Sequence, residues 1–525
     1  MNKIIFYDST LRDGAQAEGI SFSVRDKLNI VKTLDELGID YIEAGNPFSN
    51  PKDIEFFNEI QNLKLNSKIV AFGSTRRKGI KAEEDKNLRS LVQANVSAVA
   101  IFGKSWDLHV TEILKTTLDE NLSMIYDTVK YLKGLGKEVI FDAEHFFDGY
   151  KRNKEYALKT LLVAEKGGAD CICLCDTNGG AFPEEVSKVV KEVRKKVKTP
   201  LAIHTHDDGG MAVANSVMAV ESGASVVQGT LIGYGERCGN ANLSTVIANL
   251  QLKKGYETGV NDNLKNLTSA CRKIAEISNV RLNKNMPYVG KSAFTHKAGM
   301  HIDGVRKTSA SFEHVSPDSV GNSRRFLMSE VAGRSTIIAK IQKFAPGLDK
   351  DSEVTARIID RIKELEFKGY QFEGAEASFE LLVLKQLEKY KPYFEIIKFE
   401  TIGKQSMHGD FSPASAMVKV AVNGQTEITA DEGNGPVNAL DKALRKALER
   451  FFPSLSEMKL TDYKVRILDS KENTSAVTRV LIESGDGKDI WTTIGVSRDI
   501  IEASLIACID AIEYKLIKDS NRMEK

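Results

Sequence analysis

Cysteine is scarce, with six in 525 residues, too few to staple a fold of this length with disulfides. Three of them, Cys171, Cys173 and Cys175, alternate along one apolar run in a spacing unlike the C-x2-C of zinc sites, and read as buried reduced thiols. No excess of either charge is present: 73 Lys and Arg stand against 72 Asp and Glu, which argues against nucleic acid or a membrane surface as partner. No apolar run approaches the roughly 18 residues of a membrane span. The first residues enter strand-like sequence without a charged and then apolar export signal, so a cytoplasmic chain is expected. A G-x-G-x-x-G fingerprint after the first strand is also missing, which disfavours an open dinucleotide-binding sheet.

What is present is alternation. Short apolar runs at Ile4–Thr10, Tyr41–Gly45, Ile69–Gly73, Ala98–Phe102, Glu138–Ala143, Cys171–Asp176, Leu201–His206 and Val226–Ile232 are separated by amphipathic stretches. Those stretches include Asp26–Leu37, Ser123–Leu135, Lys154–Lys166 and Glu184–Val197, and Gly38, Gly136, Gly167 and Gly223 fall where helix C-caps belong. Eight β/α repeats in about 250 residues match a (β/α)8 TIM barrel, expected over 1–260. A helical, irregular connector is expected over 261–392, with helices at Ser352–Phe367 and Ala375–Tyr390. Over 393–525 the pattern predicts an α+β domain of two β-β-α units. Its strands would be Met417–Val422, Gln425–Ala430, Tyr463–Leu468, Val477–Glu483 and Ile490–Thr493, and its helices Val437–Phe451 and Arg498–Leu516. Pro436 would occupy the first turn of one helix and Ser497 would cap the other.

The chemistry concentrates at the predicted strand ends. His204 and His206, two apart on a strand, project to one side and make a start on a divalent metal site. Arg12, Asp13 and Gln16 follow the first strand, Glu144 the fifth, Asp176-Thr177-Asn178 the sixth, and Gly235–Asn240 the eighth. In a barrel all of these share the C-terminal mouth. An aspartate, two imidazoles and an amide oxygen form a mixed O/N donor set suited to Mn2+, Mg2+ or Zn2+ holding a 2-oxo acid. Arg12 beside them would stabilise negative charge developing on a carbonyl oxygen.

The runs Asp8–Gly14, His204–Asp207 and Gly235–Asn240 resemble the signature elements of the DRE-type metal-dependent acyl-CoA carboligases. That family includes the 2-isopropylmalate, homocitrate and citramalate synthases. Gly433–Pro436 with its helix resembles the family's C-terminal regulatory domain, so the likeness covers nearly the whole chain. Asp13–Gly19, Ser21-Phe22-Ser23 and Ser49–Asp53 are most similar to the longer citramalate synthase branch.

The resemblance implies a Claisen condensation of acetyl-CoA with pyruvate followed by thioester hydrolysis. It implies that Asp13, His204, His206 and Asn240 bind the metal, that Arg12 polarises the 2-oxo acid carbonyl, and that Thr177 contacts its carboxylate. Glu144 and His301 match positions of acid/base work at acetyl-CoA. Without the motif, His301 reads as a surface histidine. Phe312 stands where the family often has a tyrosine, so a hydroxyl role there is absent or passes to a group such as His314. A homodimer and feedback by isoleucine at the C-terminal domain are further expectations. The alternatives are a sister carboligase using 2-oxoisovalerate or 2-oxoglutarate, a metal-dependent C–C lyase, or a sensor without turnover. Bulky Phe102, Trp106 or Phe141 in the pocket would favour pyruvate.

Overall fold

The protein is described by a computed structural model covering residues 3–48, 51–297, 299–326, 338, 341–342, 348–349, 352–387, 390–403, 413–468 and 476–523. Ser49 and Asn50 of the Ser49–Asp53 run lie outside the described residues.

Eight parallel strands close into a barrel, β1 pairing with both β2 and β8. They are β1 Ile5–Asp8, β2 Tyr41–Gly45, β3 Lys68–Ser74, β4 Ala98–Lys104, β5 Glu138–Glu144, β6 Cys171–Asp176, β7 Leu201–Thr205 and β8 Val226–Gly229. Such strands are covered on both faces, which is why they read as near-continuous apolar runs. Inside the barrel Tyr7, Ala98, Ala100, Ile140, Ala202 and the three alternating cysteines form one buried cluster, and all six cysteines are free. The outer faces join the helices in a larger core containing Ile30, Leu34, Val129, Leu161, Val190 and Val246.

The helices start and stop for local reasons. Ser23 caps Val24–Leu37 in a reciprocal capping box with Asp26, and Gly38 ends it in the left-handed conformation at φ 95°. For the helix Lys154–Gly167 the left-handed cap is Gly168, one residue beyond the expected Gly167. In Phe146–Arg152, Gly149 lets the helix lie on the β4 loop, because a Cβ there would sit 2.2 Å from the Ser105 carbonyl oxygen.

The described chain divides into two compact units, 1–294 with 313–324, and 295–312 with 325–525. The helix Leu267–Ile277 packs into the core of the first unit through Leu267, Cys271 and Ile274. In the second unit each C-terminal repeat carries three antiparallel strands and a helix; the three of the second repeat match the expected runs, and the first repeat has one strand more than its expected two. The additional strand of the first repeat, Glu395–Ile402, leaves little signal in the sequence because it is mostly exposed and lacks clean alternation. Pro436 begins the helix Pro436–Glu449 as expected. The last helix, Ile500–Met523, is capped by Asp499, which accepts the Ile501 amide at 2.7 Å; Ser497 instead accepts the Asp499 amide at 3.1 Å.

The helices Glu353–Phe367 and Glu376–Gln386 share a core with the last sheet, with Ile358, Phe372 and Phe379 meeting Ile494. Ser378 Oγ accepts the Ile494 amide at 3.0 Å and donates to Asp510 at 2.6 Å. The same unit contains the short parallel pair Thr295–His296 and Arg325–Phe326. That pair is tied to the helical segment by Lys297–Glu373 at 2.8 Å and Arg325–Glu376 at 3.1 Å.

Candidate active site at the barrel mouth

The turn after β1 is built around Ser9. Its carbonyl accepts the Arg12 and Gly14 amides, and its hydroxyl donates to Glu43 Oε2 at 2.7 Å. Glu43, in the middle of β2 and fully buried, also accepts Tyr7 Oη at 2.7 Å and Arg12 Nε at 2.6 Å. Arg12 Nη1 reaches Asp13 Oδ2 at 2.9 Å, and the guanidinium lies 3.9 Å over the Phe72 ring. Phe72 stacks in turn on Phe102, with centroids 5.3 Å apart. Glu43 and Phe72 join the expected site residues; a lone carboxylate within the apolar run Tyr41–Gly45 is the sequence signal for the first. Phe141 points outward instead, where a Cβ on Gly103 would touch it, and cannot line the pocket.

Asp13, His204 and His206 converge. The two Nε2 atoms are 3.3 Å apart, at 3.7 and 3.9 Å from Asp13 Oδ2. Asn240 joins them across an isolated bridge to His206, with its Nδ2 donating to Asp13 Oδ1 at 2.9 Å and the Tyr234 carbonyl at 3.0 Å. Gly235 permits this approach, since a Cβ there would lie 2.1 Å from Asn240 Nδ2. Asn240 Oδ1 is buried without a hydrogen-bond partner. Burial tends to raise the Asp13 carboxyl, but Arg12 and the two imidazoles outweigh it and hold it below the usual carboxylate range. Burial lowers His204 against the pull of Asp13, and burial with the neighbouring His204 lowers His206 to about 4. An ionised carboxylate, two neutral facing imidazoles and an unsatisfied buried amide oxygen fit a divalent cation.

A second potential donor group, Asp142, Cys173 and Cys175, lies in the barrel interior. Burial raises the Cys173 thiol, and at Cys175 the hydrogen bond with Cys173 lowers the value while burial and the nearby carboxylates leave it raised, which opposes the thiolate form a metal needs. Asp142 is pushed to about 7 by burial and then by Glu43, and its Oδ1 accepts Gln228 Nε2 at 3.0 Å.

Glu144 closes β5 and pairs with Lys104, its register partner on β4. Thr177 follows β6, and its Oγ1 accepts the His145 amide at 2.9 Å. Gln16 ends a short turn and is exposed. His301 lies on the helix Gly299–Lys307 of the second unit, exposed and stacked on Phe312 with centroids 4.2 Å apart. His314 belongs to the first unit, its ring 5.1 Å from Tyr288 and 6.5 Å from Phe294. Trp106 packs with His109 and His145.

The profile of the family described as HMGL-like matches residues 3–275. The homocitrate synthase post-HMGL domain-like profile matches 288–369, and the LeuA allosteric (dimerisation) domain matches 373–516. Over 98% of both chains this one is 52% identical to an (R)-citramalate synthase of Aquifex aeolicus. Over 99% of this chain and 98% of the relative it is 51% identical to an (R)-citramalate synthase of Geobacter sulfurreducens. A probable 2-isopropylmalate synthase of Methanopyrus kandleri is 31% identical over 97% of this chain and 98% of its own.

Proposed function

The chain belongs to the HMGL-like family, within its citramalate synthase branch, and from that premise we propose that it condenses acetyl-CoA with pyruvate to give (R)-citramalate and CoA. The enzyme is an acyltransferase: the acetyl methyl loses a proton, its carbon bonds to the ketone carbon of pyruvate, and water cleaves the thioester.

Each residue has a task in this reading. Asp13, His204, His206 and Asn240 hold a divalent cation (Mn2+, Mg2+ or Zn2+), which when bound supplies Lewis-acid polarisation of the 2-oxo acid. Arg12 spends Nε on Glu43 and Nη1 on Asp13, leaving Nη2 for the ketone oxygen, where it stabilises the charge that develops as the new bond forms. Because Glu43 and Phe72 fix the guanidinium beforehand, little reorganisation accompanies the step. Thr177 donates to the substrate carboxylate. Glu144 and His301 move protons at the acetyl end, one removing the methyl proton and the other protonating the departing thiolate or activating water.

The observation carrying the choice of pyruvate is the Phe72–Phe102 stack beside Arg12. A phenyl ring packed against the carbonyl anchor and backed by a second leaves a methyl the easiest group to house. A pocket discriminates by roughly 10- to 200-fold per methylene, so the preference is measurable. Release of CoA thiol followed in parallel with pyruvate, 2-oxoisovalerate and 2-oxoglutarate tests it. Pyruvate should have the highest kcat/KM; a higher value for 2-oxoisovalerate would reassign the enzyme to the isopropylmalate branch.

The wider role follows from the same reading. We assign catalysis to the barrel at 1–260, a connecting role to 261–392 and regulation to 393–525. The match of 373–516 to an allosteric dimerisation domain supports a homodimer under feedback, with isoleucine as effector and isoleucine biosynthesis as the pathway. Among the described residues no helix is long and apolar enough to cross a membrane, and we place the enzyme in the cytoplasm.

A further inference from the structure

Thr177 is gripped from two sides by residues whose backbones are both strained. Its Oγ1 accepts the His145 amide at 2.9 Å, and its carbonyl accepts Arg237 Nη2 at 2.7 Å. His145 has φ 54° and Arg237 φ 57°, in the left-handed region that side chains with a Cβ rarely adopt. Strain of this kind persists only where the surroundings over-determine it, and it clusters at functional sites.

The surroundings do so here. His145 Nδ1 meets Asp148 Oδ2 at 3.2 Å, and the same oxygen accepts Asn178 Nδ2 at 3.0 Å, one residue past Thr177. The His145 ring also lies against His109, with centroids 4.4 Å apart. Arg237 is fixed by Asp208, which accepts Nε at 2.8 Å and Nη2 at 3.1 Å. The segments following β5, β6, β7 and β8 are thus laced together around one hydroxyl.

The chemistry of that hydroxyl follows. A threonine oxygen has one proton to give and two lone pairs to receive. An amide N–H pointing at it can only be received, so the hydroxyl proton remains for another acceptor. We propose that His145 and Arg237 are positioning residues for the 2-oxo acid, holding Thr177 so that its O–H donates to the substrate carboxylate. The proposal rests on the reading of Thr177 as the carboxylate contact. A contact made equally in the ground and transition states appears in KM and leaves kcat alone.

Steady-state kinetics of the full chain with its metal tests this, using Thr177→Val, His145→Val, Arg237→Gln and the pair His145→Val with Thr177→Val. Each single variant should raise the pyruvate KM about tenfold or more, with kcat and the acetyl-CoA KM within about twofold of the parent. The pair should be no worse than Thr177→Val alone, since both act on one hydrogen bond. His145→Gly accepts the left-handed backbone and keeps the N–H, so it should restore the pyruvate KM. Additive effects in the pair, or parental pyruvate KM in both His145→Val and Arg237→Gln while Thr177→Val is impaired, would overturn the positioning role. An unchanged KM in Thr177→Val itself would instead strike the carboxylate contact, and the positioning role with it. Should His145→Val fail to fold, Arg237→Gln on a part-exposed side chain decides the matter.

Discussion

Asp13 is the residue on which the proposed metal site turns, since its Oδ2 faces both imidazoles and its Oδ1 holds Asn240. Asp13→Ala or His206→Ala should abolish metal-dependent turnover while leaving circular dichroism and cooperative unfolding in place. Full activity in either variant after chelation and re-addition of metal would discard the site. A second expectation concerns protons. In the metal-free protein His206 should titrate near 4, read from its imidazole NMR signals, and a midpoint near 6.5 would contradict the burial argument. The sign for stability follows from the lowered value. Between about 4 and 6.5 the unfolded chain holds a proton that the fold refuses, so this group's contribution is present above 6.5 and lost as pH falls. The stability difference between parent and His206→Gln should therefore grow with pH across that window, by about 1.4 kcal/mol per unit. The histidines and Asp13 were readable because strand ends and an i, i+2 spacing fix direction. Glu43 and Phe72 were not, because in a strand buried on both faces nothing in the apolar pattern separates inward from outward positions. Phe141 and Phe102 look alike in sequence for that reason, and only Phe102 stacks on the ring that the arginine lies over.

At the level of single elements, local chemistry decides boundaries. Ser23 satisfies the Asp26 amide, and Ser23→Ala should lower the unfolding free energy by about 1 kcal/mol in denaturant titrations. Gly149→Ala should cost about 1–3 kcal/mol, because the added methyl must displace the Ser105 backbone. The same variant should raise the pyruvate KM, since its helix begins directly after His145 and a shift would move the backbone amide that Thr177 accepts. A melting temperature equal to the parent's would show that the helix can move away without penalty. Most barrel strands were legible to within a residue or two because turn glycines and caps punctuate them, whereas the helix expected at Ser123–Leu135 begins at Leu118 and the strand expected to reach Ile232 ends at Gly229. The strand Glu395–Ile402 was not legible, since Glu395, Lys398 and Glu400 interrupt its apolar positions and none of its four apolar side chains is buried.

For the molecule as a whole, a boundary near 392 is natural in sequence but runs through a shared core. Phe372 and Phe379 precede it, while Leu481, Ile494 and Val496, which they meet or adjoin, follow. Deleting everything after 392 should relieve amino-acid inhibition, and it should also expose those phenylalanines and reduce solubility. Inhibition, read as residual activity against effector concentration, is the decisive measurement. An unaltered inhibition curve in the truncated chain would refute the regulatory assignment.

The ion pairs Lys297–Glu373 and Arg325–Glu376 give that shared core a longer reach. They fasten the segment bearing His301 to the helices that carry the last sheet, so the imidazole proposed to handle protons belongs to the same compact unit as the proposed regulatory domain. An effector bound there would throttle the reaction by displacing a working part, without competing for the pyruvate pocket. Its signature would be a fall in maximal velocity that saturating pyruvate fails to rescue.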